Sequence, residues 1–591
     1  MNRRTINGRR WVNIAGRLLP ASLLMLVGTG ILGAADDATT TASQSNSAEA
    51  ATANQSQNDE ISRLKATLAE QQKQLQLLQQ TLQSQQTLLE KALGAAPPAR
   101  SGTFAGIGQV ASTTPIVPIA PIPAVAFPSP IARAQAAPAG APKNPCEAAP
   151  DANSVPPYLR LGNVCITPVG FMDLTPFWRD KNAGSSMGSN FGSIPFNNAV
   201  NGNLSEYHFS VQNSRIGFRI DGDWKGAHFI GYNEFDFNGT GGSTNYATSN
   251  GAIVPRLRLF WVDVRKGKLE FLAGQSWSML VPNRKGISAL PGDLFYTQVI
   301  DINYMAGLTW TRQPGIRVLY HPNSKVTFGL SAEQGDQYIG GSAGGSPITL
   351  PTAFSGLIST QLDGSQNITL AGYLGQPVLT PDFIAKVAFD PNSRLHFEVT
   401  GLNSNFKTVN PTNLGQHFTK SGGGVQVGVN AEVVKNLRVI STNYWSDGGG
   451  RYLFGQAPDM IVRADGSLSL VHAGGTIDGV EARVKPNTLL YAYYGGIYIG
   501  RNTAIDSNGS KVGYGYSGAP NSMNRAINEL TFGFNQTMWS NPRYGAVNVM
   551  GQYEWLQRDP WFVALGSPKA THDNTIYFNI RYTLPGSMPT F

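Results

Sequence analysis

The chain has 591 residues, of which 41% are apolar, 10% aromatic and only 14% charged, against about 25% charged in ordinary soluble domains. No run of about 18 consecutive apolar residues occurs, which excludes a bundle of transmembrane helices, and 66 glycines with 21 tyrosines and 27 phenylalanines favour many short strands and turns. The formal net charge of +8 suggests an anionic partner such as nucleic acid, but most of that charge lies at the N-terminus.

Residues 1–35 have the organisation of a secretory signal peptide. Five arginines and no acidic residue belong to this segment, which continues with an apolar stretch at 18–32 and ends on Gly33-Ala34-Ala35. Cleavage after Ala35 would leave 40 basic and 37 acidic residues, a net charge of +3. The charge of the exported chain therefore gives no support to a nucleic-acid partner.

A heptad repeat follows a polar lead-in at 36–60 that has the composition of a disordered segment. In residues 61–93, apolar side chains recur at intervals of seven, with a second set between them, which favours a supercoiled oligomer. The alternative is a glutamine-rich disordered segment. The first seam is Ile61, Leu68, Leu75, Leu82 and Leu89, and the second is Leu64, Gln71, Leu78, Gln85 and Ala92.

Residues 94–157 read as a linker rich in proline and alanine. Gly94, Pro97 and Pro98 end the helical pattern, and proline-rich spacing makes a semi-rigid spacer. The only two cysteines are Cys146 and Cys165, which could close one disulfide or stay free.

Residues 158–591 repeat one theme, in which about ten residues of alternating apolar and polar character are followed by a break. Long and short breaks alternate strictly. This is the pattern of a closed up-and-down barrel, with short turns at one rim and long loops at the other. Eight long and seven short breaks predict an all-β barrel of about 16 antiparallel strands, provided that 304–320 is one strand with a bulge at Pro314-Gly315. The long breaks are 179–205, 239–254, 279–302, 335–380, 405–420, 447–472, 500–524 and 558–573; the short ones are 223–226, 265–267, 321–324, 390–393, 435–436, 485–487 and 540–542.

Alternation assigns the two faces of each strand. A soluble sandwich also alternates, but about sixteen such strands with aromatic residues near their ends are typical of an apolar belt between aromatic girdles. The girdle candidates are Trp178, Tyr232, Trp310, Trp445, Trp539 and Trp555. The apolar sets assigned to lipid are Ile216, Phe218 and Ile220; Leu257, Leu259 and Trp261; Val326, Phe328 and Leu330; Val425, Val427 and Val429; and Ile576, Phe578, Ile580, Tyr582 and Leu584.

The lumen is predicted to be basic. Guanidinium groups match carboxylates because their forked donors meet two oxygens, so an arginine ladder would attract anions and release them again. The alternative is structural pairing with acids such as Glu234, Glu398, Glu432 and Glu481. The ladder consists of Arg215, Arg219, Arg256, Arg258, Arg317, Arg483 and Arg581, with Arg312 beside the expected bulge on an ambiguous face. The loop at 279–302 carries Arg284, Lys285 and Asp293, which are the candidate constriction residues; the sequence does not decide whether this loop folds inward.

Catalytic patterns lack the context that their chemistry needs. The G-x-S-x-G run at 340–344 lies in a Gly/Ser-rich loop without the strand and helix of a nucleophile elbow. The glycine pattern at 513–518 has no following helix, and the seven histidines show no metal spacing. We therefore expect no enzyme activity, no cofactor and no metal.

Three short motifs and the order of the segments carry a family resemblance. The motifs are GQSWS at 274–278, SRIGF at 214–218 and RQPGIR at 312–317. Together they resemble the DcaP-like family of trimeric outer-membrane porins, whose order of signal peptide, coiled coil, linker and barrel is also the same. The resemblance implies a homotrimer of 16-stranded barrels with a periplasmic coiled-coil stalk, which passes small anionic solutes such as dicarboxylates.

The sequence thus predicts a passive outer-membrane diffusion channel surrounded by lipid. Two alternatives belong to other classes. A barrel enzyme such as an outer-membrane lipase would need adjacent Ser and His on the lipid-facing wall, and the strands show no such pair. A structural tether would use the coiled coil and linker to connect layers of the envelope, with an incidental pore.

Overall fold

The computed structural model describes residues 158–239, 253–294, 296–341, 347–364 and 377–587. The predicted signal peptide, lead-in, coiled coil and linker, residues 1–157, lie outside the described residues. Within the described ranges, no helix is long and apolar enough to cross a membrane.

Strands account for most of the described chain, and the only α-helices described are the single turns α1 (Pro291–Leu294) and α2 (Leu357–Thr360). Single 3-10 turns occur at Val200–Asn203, Thr352–Phe354, Gly450–Tyr452 and Pro585–Ser587. The strands are β1 (Leu159–Leu161), β2 (Val164–Arg179), β3 (Glu206–Ser210), β4 (Arg215–Trp224), β5 (Ala227–Gly239), β6 (Val254–Lys266), β7 (Leu269–Trp277), β8 (Arg312–Tyr320), β9 (Val326–Glu333), β10 (Asp382–Asn392), β11 (Leu395–Val409), β12 (His417–Val434), β13 (Leu437–Asp447), β14 (Met460–Val462), β15 (Leu468–Leu470), β16 (His472–Lys485), β17 (Thr488–Ile499), β18 (Asn502–Ile505), β19 (Lys511–Tyr514), β20 (Asn524–Asn541), β21 (Gly545–Pro560) and β22 (Thr571–Thr583).

The wall is a closed antiparallel barrel of sixteen strands, as the alternation of breaks predicts. Both β3 and β4 pair with β2 and together form one interrupted wall strand. Each later wall strand pairs with the next, and β22 returns to pair with β2 along Phe171–Arg179, which closes the sheet. The short β1 pairs with the first residues of β2. Two further hairpins, β14–β15 and β18–β19, belong to long loops rather than to the wall.

Short turns and long loops occupy opposite ends of the barrel, here called the short-turn end and the long-loop end. Residues with positive φ form the tightest turns, such as Lys225-Gly226 (φ 48° and 75°) and Asn436 (φ 68°), which matches the twist of a two-residue hairpin. The loops at the other end are L1 (180–205), L2 (240–253), L3 (278–311), L4 (334–381), L5 (410–416), L6 (448–471), L7 (500–523) and L8 (561–570).

Two sequence predictions about strand boundaries are wrong. The register between β7 and β8 is continuous from Trp277–Arg312 to Leu269–Tyr320, so no bulge exists at Pro314-Gly315 and residues 304–311 belong to L3. The predicted number of strands is still correct, because Arg312–Tyr320 alone forms the eighth strand segment, β8, of the wall. The predicted long loop at 405–420 is mostly strand, since β11 and β12 extend beyond it and leave only L5 between them.

The outward and inward faces follow the predicted alternation in β4, β9, β12 and β22. The assignment of Leu259 and Trp261 to the lipid face is wrong, because Glu234 opposes Leu259 while Phe235 opposes Leu257. Arg258 is therefore the extra residue of a β-bulge, and both Leu259 and Trp261 are buried inside the barrel.

The predicted aromatic girdles need the same kind of correction. Trp178, Trp445 and Trp539 are exposed on the outer face. Tyr232 instead stacks on Trp261 inside the barrel, with ring centroids 5.3 Å apart, and Trp310 is a buried residue of L3. A large aromatic residue near a strand end does not reveal by itself which side of the wall it occupies.

Cys165, near the start of β2, is disulfide-bonded. Cys146, the only other cysteine of the sequence, lies outside the described residues.

Candidate functional site

L3 folds into the lumen and crosses it, a point that the sequence leaves open. Its backbone bonds to inward-facing side chains of one wall strand after another. The Met279 amide donates to Glu333 (2.8 Å), and the Leu280 carbonyl accepts from Gln426 (2.7 Å). Farther along, the Ala306 amide donates to Glu529 (2.8 Å). A loop without regular structure can be buried in this way because the wall supplies partners for its backbone polar groups.

A buried ionic network holds the first turn of L3. The Lys386 ammonium, which is completely buried, donates to the Val281 carbonyl (2.8 Å) and lies 3.2 Å from both oxygens of Glu398. Glu398 also accepts from the Asn283 amide (3.2 Å). Because both charges are removed from water, the pair is sensitive to loss of either partner.

Arg284 attaches the next part of L3 to wall strand β16. Its guanidinium binds Glu481 of β16 through two bonds of 2.9 and 2.6 Å and also donates to the Tyr296 carbonyl (2.8 Å). The Tyr493 hydroxyl donates to the same carboxylate (2.7 Å). Arg284 is therefore already paired, as the structural alternative for lumen arginines predicts.

The other two predicted residues of L3 differ from Arg284. Lys285 is exposed. Asp293 lies in α1, and its side chain is outside the described part of the structure.

Four predicted arginines converge on the opposite part of the wall, around Tyr304 of L3. Arg215 and Arg258 each donate to the Tyr304 hydroxyl at 3.2 Å. Arg258 also binds Glu234 (2.8 Å) and Asp236 (2.6 Å), and Arg256 binds Asp236 (2.7 Å). We call Arg215, Arg256, Arg258 and Arg312 the arginine cluster.

Arg312, whose face is ambiguous from the sequence, lies inside the barrel. Its guanidinium carbon is 5.3 Å from the ring centroid of Trp277 and 5.9 Å from that of Trp310, which is within the range of a cation–π contact. Among the described residues it forms no ion pair, and its Nη1 is buried without a hydrogen-bond partner. It therefore adds a positive charge that no described carboxylate offsets directly.

The remaining predicted arginines all face the lumen but do not join the cluster. Arg219 binds Asp221 (2.8 Å) and Arg581 binds Asp173 (2.9 Å). Arg317 is buried and donates to the Trp277 carbonyl (2.5 Å). Arg483 donates to the Pro486 carbonyl (3.3 Å) at the short-turn rim.

Several residues of the site were not predicted. Asp236 lies two positions after Glu234 on the inward face of β5, so the alternation of that strand contains the signal for it. Lys386 lies at an inward position of β10 and could be found in the same way. Tyr304 has a positive φ of 62° in an irregular loop, and no sequence pattern identifies it. Arg438 faces the lumen and donates to Asn430 (2.8 Å), from a strand whose two faces mix apolar and polar residues.

L4 and L6 pack on each other at the long-loop end through a buried arginine. Arg451 bonds to Asp382 (2.5 Å) and to the Gln334 carbonyl (3.3 Å), and its amide donates to Asp459 (2.9 Å). Burial, together with the carboxyl group of Asp363, raises the pKa of Asp336 to about 7, although Arg451 acts in the opposite direction. These loops therefore carry a carboxyl group that changes charge near neutral pH.

The structure describes only part of the two sequence patterns that resemble enzyme motifs. Residues 342–344 of the G-x-S-x-G run lie outside the described part of the chain. The glycine pattern at 513–518 begins in the β19 hairpin strand of L7 and continues into irregular loop. The described residues contain no group of three or more His, Cys, Asp or Glu side chains that could hold a metal ion.

The fold is similar to that of solved outer-membrane channels. The channel DcaP of Acinetobacter baumannii is 17% identical, with a TM-score of 0.52, over 73% of this chain and 100% of that chain. An anion-selective porin from Comamonas acidovorans (12% identity, TM-score 0.40, 71% and 99% coverage) and OmpF of Salmonella typhi in complex with daunomycin (10%, 0.41, 72% and 100%) are more distant, and their scores are too low for an inference. No family model and no curated protein matches the sequence. The chain thus has the fold of the DcaP channel.

Proposed function

We propose that the chain is an outer-membrane porin of the DcaP-like family that allows passive diffusion of small hydrophilic solutes and prefers anions, dicarboxylates among them. The single observation that carries this proposal is a closed sixteen-stranded barrel with a loop folded into a lumen that contains basic side chains. Barrels of this size enclose an aqueous channel unless something fills it, so selectivity depends on the side chains that remain accessible.

The orientation follows from the two ends of the barrel. Outer-membrane barrels have short periplasmic turns and longer external loops, so the short-turn end would face the periplasm and L1 to L8 the outside. The predicted coiled coil at 61–93 would then lie in the periplasm. The apolar outer face, with residues such as Phe218, Leu330 and Phe578 exposed, would contact lipid.

The preference for anions is supported by three ion pairs of the lumen, in each of which the arginine is more exposed than its carboxylate partner. Arg256 is 37% exposed and its partner Asp236 only 4%. Arg219 is 23% exposed while Asp221 is completely buried, and Arg581 is 20% exposed while Asp173 is completely buried. The carboxylates are therefore hidden behind the guanidinium groups. A solute in the lumen meets positive charge, although the pairs are formally neutral.

The same pairing keeps solute binding weak. A guanidinium group has five N–H donors, and each exposed arginine already uses some of them on its carboxylate. The free donors can bind a solute carboxylate, but the guanidinium charge is partly offset. Conduction requires binding that attracts a solute and still releases it, and partly offset arginines satisfy both conditions.

The proposal is tested by the reversal potential of the purified protein in a planar bilayer under a KCl gradient. We expect chloride to be preferred over potassium, and the triple variant Arg219→Gln, Arg256→Gln and Arg581→Gln to reduce that preference. The control Arg543→Gln changes an arginine in the exposed turn between β20 and β21. It should leave the potential unchanged.

A preference for potassium in the unmodified protein would refute the anion proposal. Succinate added to one side should reduce the chloride current of the unmodified protein more than it reduces that of the triple variant. Equal reduction would show that the arginines do not select dicarboxylates.

The chain is further proposed to assemble as a homotrimer through the barrel wall and the coiled coil. The heptad repeat supports self-association, since a sustained repeat of seven favours a supercoil of several helices. Native mass spectrometry of the detergent-extracted protein would give the number of copies.

A further inference from the structure

The rim of the barrel at the short-turn end repeats one combination of side chains. Each of the seven short turns has an exposed lysine or arginine, and each has a large exposed apolar side chain close to it. We call the seven bases the basic rim: Lys225, Lys268, Lys325, Arg394, Lys435, Lys485 and Arg543. Their apolar neighbours, in the same order, are Trp224, Leu269, Tyr320, Leu395, Val434, Val484 and Tyr544.

The positive and the apolar side chain of each turn lie close together. In six of the seven turns the two residues are adjacent in the sequence. The Lys225 ammonium is 4.7 Å from the ring centroid of Trp224, and the Arg543 guanidinium carbon is 5.9 Å from that of Tyr544, both within the range of a cation–π contact. Trp224 is 63% exposed and Tyr544 58%, so the surroundings of the rim meet apolar surface and positive charge at the same places.

The carboxylates near the turns do not neutralise the basic rim. Glu432 accepts from the Asn436 amide (2.8 Å), and three other acids each lie 2.9 Å from a histidine. Those pairs are Asp223 with His228, Glu270 with His321 and Asp390 with His396. Among the described residues, none of the five lysines of the basic rim forms an ion pair. Their charge is therefore available to an anionic partner.

The spacing of the basic rim suits an extended surface. Two wall strands separate each turn from the next, and neighbouring strands are about 4.8 Å apart and tilted by about 40°, so consecutive turns are about 12 Å apart along the rim. Bases distributed at that interval match a surface that carries many single negative charges. They do not form one compact pocket for a single small anion.

We infer that the basic rim binds the phosphate groups of anionic phospholipids in the membrane leaflet at the short-turn end. An anionic membrane surface attracts each nearby lysine or arginine, and this attraction falls off within a Debye length. The long stems of these side chains carry their charges to the level of the headgroups, while the apolar neighbours lie at the edge of the acyl chains. The inference rests on the proposed membrane location.

The apolar neighbours favour a lipid over a soluble polyanion. A polymer that bound only the bases would leave Trp224, Tyr544 and the aliphatic neighbours in water, whereas a phospholipid covers both members of each combination. Lipid phosphates would also neutralise the basic rim. Positive charge at the rim would then not retain an anionic solute that leaves the lumen.

Spin-labelled lipids test the inference. The purified protein is reconstituted in phosphatidylcholine vesicles with a trace of spin-labelled phosphatidylglycerol or of spin-labelled phosphatidylcholine, and the fraction of label immobilised at the barrel gives the relative association constant. The rim variant combines Lys268→Gln, Lys325→Gln, Lys435→Gln and Lys485→Gln. The control variant removes the same charge from exposed residues at the long-loop end, through Lys420→Gln, Arg501→Gln, Arg525→Gln and Lys569→Gln.

The unmodified protein should prefer phosphatidylglycerol at low salt and lose that preference in about 1 M NaCl, where the Debye length is about 3 Å. One base near an anionic surface changes a binding constant by about fivefold. Averaged over all lipids at the wall, the rim variant should lose roughly half of the preference or more, whereas the control variant should keep it.

Three outcomes would overturn the inference. One is equal association of the two lipids with the unmodified protein. Another is an equal loss of preference in both variants, which would assign the effect to net charge instead of the basic rim. The third is rim-dependent binding of purified peptidoglycan without a lipid preference, which would make the cell wall the partner. Bilayer conductance of each variant is measured in parallel, so failure of the proposed channel and failure of the lipid contact are recorded separately.

Discussion

Removing the Glu481 charge should release L3 from wall strand β16, to which Arg284 attaches it. In the native pair, Arg284 is 12% exposed and Glu481 only 6%. Glu481→Gln would leave the Arg284 guanidinium nearly buried and without its carboxylate partner Glu481, while the bond to the Tyr296 carbonyl is kept. Loss of one partner of a buried ion pair costs about 3–5 kcal/mol. The low end applies because Arg284 keeps some access to water.

A loss of about 3 kcal/mol corresponds to roughly a hundredfold change in an equilibrium, at about 1.4 kcal/mol per factor of ten. Hydrogen exchange of L3 peptides, read by mass spectrometry, should therefore accelerate by up to about that factor in Glu481→Gln. The double variant Arg284→Gln with Glu481→Gln should recover part of the protection, because no unpaired charge remains. Glu432→Gln is the control, since it removes a carboxylate whose described hydrogen bond is to the Asn436 amide of the turn.

The reversal potential of the channel reports the change in lumen charge separately from the release of L3, which hydrogen exchange reports. Glu481→Gln removes a negative charge from the lumen and should increase the preference for chloride, whereas the double variant should return it toward the original value. The reasoning would be refuted by unchanged L3 exchange in Glu481→Gln, or by a double-mutant coupling below about 0.5 kcal/mol, the usual limit of additivity between independent sites.

The remaining predictions concern stability. Lys386→Met should reduce the free energy of unfolding by about 3 kcal/mol, the low end for loss of one partner of a buried ion pair, because Glu398 stays buried without the ammonium and keeps only its contacts with Asn283 and His396. The urea midpoint of unfolding should fall, and an unchanged midpoint would contradict this. Because the pKa of Asp336 is raised to about 7 in the folded protein, the folded loops keep this proton over a pH range in which the unfolded chain has lost it. The packing of L4 should therefore weaken as the pH rises from about 4 to about 7. Proteolysis of the loops should be faster at pH 8 than at pH 5, and Asp336→Asn should remove the difference; equal rates in the unmodified protein would exclude the effect. Gly217→Ala would place Cβ 2.0 Å from the Asn233 carbonyl oxygen and should reduce the yield of folded barrel, whereas Gly401→Ala, which meets open space, should not; equal yields would rule out the clash.

Some outward positions of β13 and β16 carry polar side chains where the alternation of the sequence predicts apolar ones. Ser441, Asn443 and Asp478 occupy positions that alternation assigns to the outside, so they break the expected apolar pattern. In the sequence such a break makes the face of the strand ambiguous. Only the pairing of β13 with β16, which sets Ser441 opposite Asp478, turns these separate exceptions into one surface.

The amino-acid sequence by itself determined the barrel. Alternation with a period of two and turn-forming residues such as Lys225-Gly226 act over a few neighbouring positions, so sixteen strands and the alternating lengths of their connections can be read directly. The inward positions of Arg215, Arg219 and Arg581 follow from the same local rule. The predicted coiled coil at 61–93 depends on an equally local rule and stays a prediction.

Only the tertiary structure decided how the lumen is arranged. The bulge at Arg258 reverses the faces of Leu259 and Trp261, and L3 joins Arg284 to Glu481, which lies 197 positions away in the chain. Contacts of this kind depend on closure of the wall, which brings side chains from distant strands into one enclosed space. Local periodicity says which way a side chain points, but it does not contain the identity of the partner that closure places opposite it.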